Sequence, residues 1–329
     1  MITKLSVSNF KSVRQLDIEC KKVNLFIGEP NTGKSNILEA LGFIGWLGQP
    51  PGEISLSNSI RFQNMPNLFY DQLLDQDITV KASTTDKSYP NLDVVLKHHK
   101  SKFQFLERGE PFRIVTYEGK MEEVAFIPIS TKMAMIKFFR FKSLDKYENN
   151  QSGFLRPPNG DNLFSVVISS KNLRETMIEF FRKYGLKLVM KPNEKVFELQ
   201  KEVDDLVFSY PYTLTSDTLR RIIFYTVAIA SNKDSVLVFE EPESHAFPYY
   251  TKYLGERIAL DTTNQFFIAT HNPYLLSAIV EKTRKEDVQV LITYFKDYET
   301  RVKPLSTNQL SELMEADPFF NLDRFIEEE

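Results

Sequence analysis

The chain has 329 residues, enough for a substantial core in one large domain or two small ones. With 42% hydrophobic and 26% charged residues it has the composition of a soluble globular protein, and a net charge of -3 excludes a global pull toward nucleic acid, leaving only a local patch for such contact. A single cysteine, Cys20, excludes intrachain disulfides and cysteine-based metal sites; with no signal-peptide core in MITKLSVSNFKSV and no bilayer-length apolar run, a cytoplasmic protein is expected.

Residues 2–7 alternate apolar and polar side chains and predict a strand, and residues 13–18 a second one. Residues 23–27 are a short apolar run that reads as a buried strand. Residues 36–47 then carry Ile37, Leu38, Leu41 and Ile44 at helical spacing. Between strand and helix lies GEPNTGKS, residues 28–35, which matches G-x-x-x-x-G-K-[ST], the phosphate-binding loop of nucleotide triphosphatases. Gly28 and Gly33 let successive backbone N–H groups face a phosphate, and the helix beginning near Lys34 adds its positive end. Lys34 is expected to reach the β- and γ-phosphates of ATP, and the Ser35 hydroxyl to bind Mg²⁺. Glu29, Pro30, Asn31, Thr32 and Asn36 complete the nucleotide-binding stretch. The alternative is a chance glycine-containing turn, which the flanking strand and helix weigh against.

The helix should stop near Gly48, because Gln49-Pro50-Pro51-Gly52 cannot continue it. Residues 53–75 read as irregular or loosely helical. Residues 77–83, 91–98, 102–108 and 112–117 show strand-like alternation between turn residues, as in an antiparallel meander, with a further strand at 123–128. His98 and His99, beside Lys97 and Lys100, read as an exposed hairpin turn. Trp46 and Phe43 read as core. Residues 133–141 are apolar and basic by turns, 149–161 a loop, 172–184 an amphipathic helix, and 195–200 with 205–210 a hairpin. Ser216 suits the N-cap of a helix through Ile229. Strands at 235–239 and 265–269 alternate with helices at 248–259 and 273–280, strands at 288–294 and 301–305 close the fold, and the acidic end FNLDRFIEEE is expected to fray.

Two strand ends supply what the phosphate loop lacks. SVLVFEEPESH, residues 235–245, is an apolar strand ending in two carboxylates. Glu240 suits the metal, and Glu241 suits polarising the attacking water. The competing reading is a strand followed by a solvated acidic turn. FFIATHNPYLL, residues 266–276, ends in His271, placed to hydrogen-bond a γ-phosphate in the crevice at the strands' carboxyl ends.

In this order the pieces resemble the ATP-binding-cassette ATPases, and within them the SMC-like and OLD-like branch whose members work on DNA or in phage defence. The resemblance makes GEPNTGKS the Walker A loop, VLVFEEPE the Walker B strand with its catalytic glutamate, and His271 the switch histidine. LSVSNFKSV is similar to the branch's opening strand and turn, which implies that Lys11 and Ser12 lie near the nucleotide. Ser244 and His245 fall in the D-loop region. No Q-loop glutamine is assigned; Gln63 and Gln72 are the candidates. The signature loop reads LTSDT: Ser216 can still cap a helix aimed at the γ-phosphate held by the other protomer, but Asp217 stands where a glycine is expected. The fold class implied is α/β, a P-loop NTPase of ABC-ATPase type: a mixed or parallel central sheet flanked by helices, with an antiparallel β meander subdomain. The expected organisation is a single ATPase domain over 1–329, with a nucleotide lobe at about 1–75 and 230–329, the meander at about 76–130, and a helical, signature-bearing lobe at about 131–229.

The resemblance implies an ATPase that dimerises on ATP, as a homodimer or higher homo-oligomer. No coiled coil of SMC length and no acidic cluster of a Toprim nuclease is legible, so a separate effector protein, a nuclease or toxin in prokaryotic anti-phage defence, is the expected load. Two alternatives stand: a DNA-repair ATPase reading DNA through Lys132, Lys137, Phe139, Arg140, Lys142 and Lys146, and a nucleotide-dependent scaffold with little turnover, favoured by Asp217. No membrane partner is expected.

Overall fold

The computed structural model describes residues 1–85, 91–124, 133–315, 319–320 and 322–327. In chain order the strands are β1 (Ile2–Phe10), β2 (Val13–Glu19), β3 (Val23–Ile27), β4 (Ile78–Thr84), β5 (Leu92–His99), β6 (Lys102–Glu107), β7 (Glu110–Val115), β8 (Met121–Val124), β9 (Ile136–Phe139), β10 (Lys187–Lys191), β11 (Val196–Val203), β12 (Leu206–Pro211), β13 (Val236–Glu240), β14 (Gln265–Ala269), β15 (Val288–Lys296) and β16 (Glu299–Pro304). The helices are α1 (Lys34–Leu47), α2 (Leu163–Ser169), α3 (Lys171–Arg182), α4 (Asp217–Ser231), α5 (Pro248–Leu260), α6 (Pro273–Lys282), α7 (Thr307–Glu315) and α8 (Leu322–Glu327).

The central sheet runs β16-β15-β3-β14-β13-β9. Every pairing in it is parallel except the antiparallel edge β16. β3 and β14 are buried along their whole length, as parallel strands covered on both faces must be. The period of two divides their side chains between two cores. Val23, Leu25, Ile27, Leu237, Phe239, Phe266 and Ile268 face the core built with helices α2 to α6. Phe26, Val236, Val238, Phe267 and Ala269 face the core that contains α1 and the second sheet.

That second sheet is antiparallel, in the order β2-β1-β4-β5-β6-β7-β8. The meander expected at 76–130 therefore continues a sheet begun by the chain's first two strands. α1 is held between the sheets, which is why apolar residues cover nearly its whole circumference and Phe43 and Trp46 are buried. β10-β11-β12 form a separate three-stranded sheet; its first strand, α2 and α7 were not legible in the sequence. Residues 53–75 fold as three short 3₁₀ turns around buried Leu56, Met65, Leu68 and Phe69. At the C-terminal end α8 corrects the expectation of fraying for residues 322–327, where Leu322 and Phe325 are buried against the helical core; residues 321, 328 and 329 lie outside the described residues. Of the strand expected at 123–128, β8 covers the start; residues 125–128, like Lys132, lie outside the described residues.

Candidate active site

The parallel register brings three loops to one end of the central sheet. Glu240 pairs with Ala269, and Ala269 with Phe26, so the chain leaves β13, β14 and β3 side by side. The loop after β3 is shaped by two glycines. Gly28 has φ 148, and a Cβ there would lie 2.1 Å from the Thr293 carbonyl oxygen on β15; Gly33 has φ 98, and its Cβ would meet Thr300 Oγ1 on β16 at 2.0 Å. Ser12 Oγ is hydrogen-bonded to that Thr300 hydroxyl at 2.6 Å and accepts a hydrogen bond from Asn36 Nδ2 at 2.7 Å. Thr32 Oγ1 donates to the Glu29 carbonyl at 2.9 Å. Ser12 and Asn36 thus buttress the loop.

Lys34 turns back over the loop and donates to the carbonyls of Gly28 and Glu29 at 2.8 and 2.6 Å. Burial pushes its ammonium down to about 8, against the pull of Glu241 and Glu29. α1 starts from Gly33 with no side chain over its first amides and no acid in its first turn. Those N–H groups, the glycine-shaped loop and the lysine form a cradle of the right sign for a phosphate. Beside it opens a cleft of 710 Å³, with Gly28 to Thr32 on one wall and Phe295, Leu322, Asp323 and Ile326 among the residues of the other.

Glu241 stands just past β13, its amide bonded to the Ala269 carbonyl at 2.9 Å. One carboxylate oxygen accepts from Ser244 Oγ at 3.2 Å, and the other lies 3.3 Å from His271 Nε2. Burial and the nearby Lys34 ammonium lower the imidazole's pKa, against Glu241, which favours a neutral ring at neutral pH. Lys34, Glu241 and His271 thus share one electrostatic environment.

Glu240 is bound into a cluster the sequence reading missed. Glu39, fully buried on α1, accepts from Lys11 Nζ, from Arg61 Nε at 2.8 Å and from the Arg61 amide at 3.2 Å. Arg140 bridges Glu39 and Glu240 at 3.4 and 3.1 Å, and Arg61 reaches Glu240 at 3.3 Å. The signal was present: Glu39 is the single acid in the apolar helix KSNILEALGFIGWL. Lys11, expected beside the nucleotide, has its ammonium on Glu39 and on the Arg61 carbonyl, the latter at 2.6 Å. Three cations on two carboxylates leave a surplus of positive charge here.

Glu243 is the second missed residue. Its carboxyl is buried, takes a hydrogen bond from the Thr270 hydroxyl, and leaves one oxygen without a protein partner among the described residues. Burial pushes it up to about 7, although Thr270 and the backbone amides of Glu243 and His271 pull the other way. It ties the loop carrying Glu241 to the loop carrying His271.

The donor set suits a hard divalent cation. A serine hydroxyl and one carboxylate, Ser35 and Glu240, are oxygen ligands of the kind Mg²⁺ takes beside phosphates and waters; Arg61 and Arg140 hold both Glu240 oxygens here, so Glu240 reaches a cation only by giving up those contacts. Among the described residues no three His, Cys, Asp or Glu side chains cluster as a metal site without a nucleotide. Ser216 caps α4, its Oγ accepting from the Leu219 amide at 3.3 Å. Asp217 lies 3.7 Å from Arg220 and 3.5 Å from Arg221 on its own helix, and Thr218 Oγ1 donates to the His245 carbonyl at 2.6 Å. Among the described residues, the basic stretch proposed for DNA does not form one face. Lys137 is buried, donating to Asn232 Oδ1 at 2.5 Å with its ammonium 3.8 Å from the Phe154 ring centroid; Phe139 is core and Arg140 is ion-paired, while Lys142 and Lys146 are exposed.

Residues 1–107 match the family described as "AAA ATPase domain", and residues 139–277 the family described as "AAA domain, putative AbiEii toxin, Type IV TA system". The DNA replication and repair protein RecF of Lactobacillus acidophilus is 30% identical over 126 residues, which are 38% of this chain and 30% of RecF. RecF of Lactobacillus delbrueckii subsp. bulgaricus is 27% identical over 129 residues, 39% of this chain and 30% of that one. The chain therefore spans about 30% of the length of these relatives. An Smc head bound to the C-winged helix domain of ScpA superposes with a TM-score of 0.58 at 16% identity, covering 93% of this chain and 98% of that one. A Pyrococcus furiosus Smc head with an extended coiled coil, bound to the C-terminal domain of ScpA, gives 0.55 at 12% identity over 95% and 98%. The two superpositions give the fold: an α/β P-loop head of the ABC type.

Proposed function

We propose that this chain, two segments of which match AAA ATPase families and whose fold is that of the Smc heads, holds ATP and Mg²⁺ on the 28–36 loop and couples hydrolysis to the control of a partner protein. The observation that carries this reading is the meeting of Lys34, Glu241 and His271 at one end of the sheet, with Glu241 and His271 3.3 Å apart. Residues Gly28 to Asn36 cradle the triphosphate, with Lys34 leaving its two loop carbonyls for phosphate oxygens. Ser35 and Glu240 hold the metal, which when bound neutralises phosphate charge. The Glu241 oxygen that faces His271 orients the attacking water and takes its proton once the single N–H of neutral His271 turns from it to the γ-phosphate. Glu240 takes its metal-holding role by releasing Arg61 and Arg140, which hold its two oxygens at 3.3 and 3.1 Å.

Two copies closing head to head on ATP, with Ser216 of each facing the other's nucleotide, give the cycle its output. The load is a separate effector in prokaryotic anti-phage defence. The match of residues 139–277 to a family described as a putative toxin of a toxin–antitoxin system supports the defence setting; the separate effector rests on the resemblance alone. A DNA-repair role is the second reading, favoured by the RecF relatives. No helix among the described residues is long and apolar enough to cross a membrane.

Glu241→Gln tests the core of the proposal. Turnover is expected to fall on the order of 10²-fold or more while ATP still binds, read by phosphate release and by equilibrium nucleotide titration. Turnover surviving within a few-fold would remove Glu241 from the chemistry. DNA that stimulates the wild type, with an effect that fades as salt is added, would favour the second reading.

A further inference from the structure

β12 is an edge strand: among the described residues β11 is its one strand neighbour. All six of its residues, LVFSYP, are exposed, with Leu206 at 61%, Val207 at 59%, Phe208 at 44% and Tyr210 at 42%. Natural edge strands carry charges, bulges or a central proline that block pairing; residues 206–210 carry none, and the one proline ends the strand.

The backbone fixes what this edge can accept. Asp204 and Asp205 turn the hairpin with φ 47 and 64, the left-handed pair of a two-residue turn. In such a hairpin the closing pair, Val203 and Leu206, exchanges both hydrogen bonds, and the pattern then alternates. Leu206, Phe208 and Tyr210 therefore direct their amides and carbonyls to β11, while Val207 and Ser209 direct theirs outward.

We propose that β12 pairs antiparallel with β12 of a second copy across a two-fold axis at Phe208, joining two three-stranded sheets into one of six strands. In that register Val207 of each copy exchanges both bonds with Ser209 of the other, so every outward donor and acceptor of the two residues is met. A shift toward the turn would bring the loop residue Asp205 into the ladder. A shift the other way would set Val207 against Pro211, which has no N–H. On one face Phe208 meets Phe208 and Leu206 meets Tyr210, pairings that stabilise antiparallel sheets. The acidic tip, Asp204 and Asp205, lies beside the uncharged Tyr212–Leu214 turn of the other copy, so like charges do not meet. So short a ladder falls below the roughly 1,000 Å² of a stable interface. The association is therefore weak, concentration-dependent and independent of nucleotide, and so distinct from the closure proposed above.

The test uses the full chain in a Cys20→Ser background without nucleotide. Facing Cα atoms at the axis would be about 4.5 Å apart, within disulfide range. Phe208→Cys should oxidise to a covalent dimer at least tenfold faster than Leu206→Cys, which is on the same face but four residues from its own copy. Independently, Val207→Pro removes an outward amide and leaves the hairpin's own bonds intact. It should raise the half-association concentration in sedimentation equilibrium at least tenfold. Equal cross-linking at both positions, or self-association that ignores Val207→Pro, overturns the proposal. A wild type that stays monomeric up to millimolar concentration also overturns it, and leaves the edge to an extended segment of another protein.

Discussion

α1 and α4 both begin at loops that the family ties to phosphate, and they begin in opposite ways. α1 starts from Gly33, with a left-handed backbone, no side chain over its first amides and no acid in its first turn. α4 starts from Ser216, whose hydroxyl takes the Leu219 amide, and has Asp217 in its first turn. A helix start attracts an anion only with the groups its own residues leave free. By that measure the start of α1 is open to a phosphate in a single copy, and the start of α4 is closed by its own side chains.

The largest test of this contrast asks how much of the cradle is backbone and how much is Lys34. Lys34→Ala keeps the glycines and the open amides of α1. Nucleotide affinity should fall on the order of a hundredfold, the loss of a charge-assisted contact. The wild type should also lose affinity as pH rises through about 8, because the free ammonium titrates there and only its protonated form attracts phosphate. Lys34→Ala should show no such dependence. Nucleotide titrations at pH 7 and 9 check both; an alanine variant that binds within a few-fold of wild type would place the affinity in the backbone alone.

The next test concerns what holds the open side ready. Glu243 has its folded pKa raised from 4.5 to about 7. Between those values the native protein holds a proton that the unfolded chain has released, so stability falls as pH rises through this window. The loss is on the order of 3 kcal/mol once both states are ionised. Glu243→Gln cannot ionise and can still accept from Thr270. Relative to wild type it should therefore gain about that amount between pH 4.5 and 8, read as denaturant midpoints. A constant difference across the range would mean that Glu243 is charged in the native protein.

Much of this site was legible because local rules and tertiary demands agree. The GEPNTGKS loop needs glycine at two strained positions, and the apolar runs of β3, β13 and β14 need burial on both faces, so motif and hydropathy point to the same place. The strands' carboxyl ends then bring Glu241 and His271 to the loop by parallel topology. What the sequence hid depends on contacts between distant segments. Glu39 looks like one acid on a helix until Lys11, Arg61 and Arg140 arrive from three other segments. Lys137 and Arg140 look like a basic face until Asn232 and Glu240 claim them. α8 looks like an acidic tail because two buried side chains, Leu322 and Phe325, are too few to make a pattern. The seven-stranded order was hidden because antiparallel pairing of β1 with β4 joins residues about seventy to eighty positions apart with no local signature.

The smallest expected effects lie at α4, where the contrast with α1 can be reduced one group at a time. Ser216→Ala removes the cap and should cost about 1 kcal/mol of stability, without changing nucleotide affinity in the monomer, since the hydroxyl serves its own helix. Asp217→Asn removes a carboxylate from the helix start and releases Arg220 and Arg221 from it. If ATP closes two copies over this helix start, the substitution takes away a repulsion and frees two cations, so association in the presence of ATP should strengthen a few-fold. The measurement is sedimentation with ATP in a Glu241→Gln background, where hydrolysis does not reopen the dimer. Weaker association in Asp217→Asn would reverse the reading of the closed start: the carboxylate would then be the group that aims Arg220 and Arg221 across the interface.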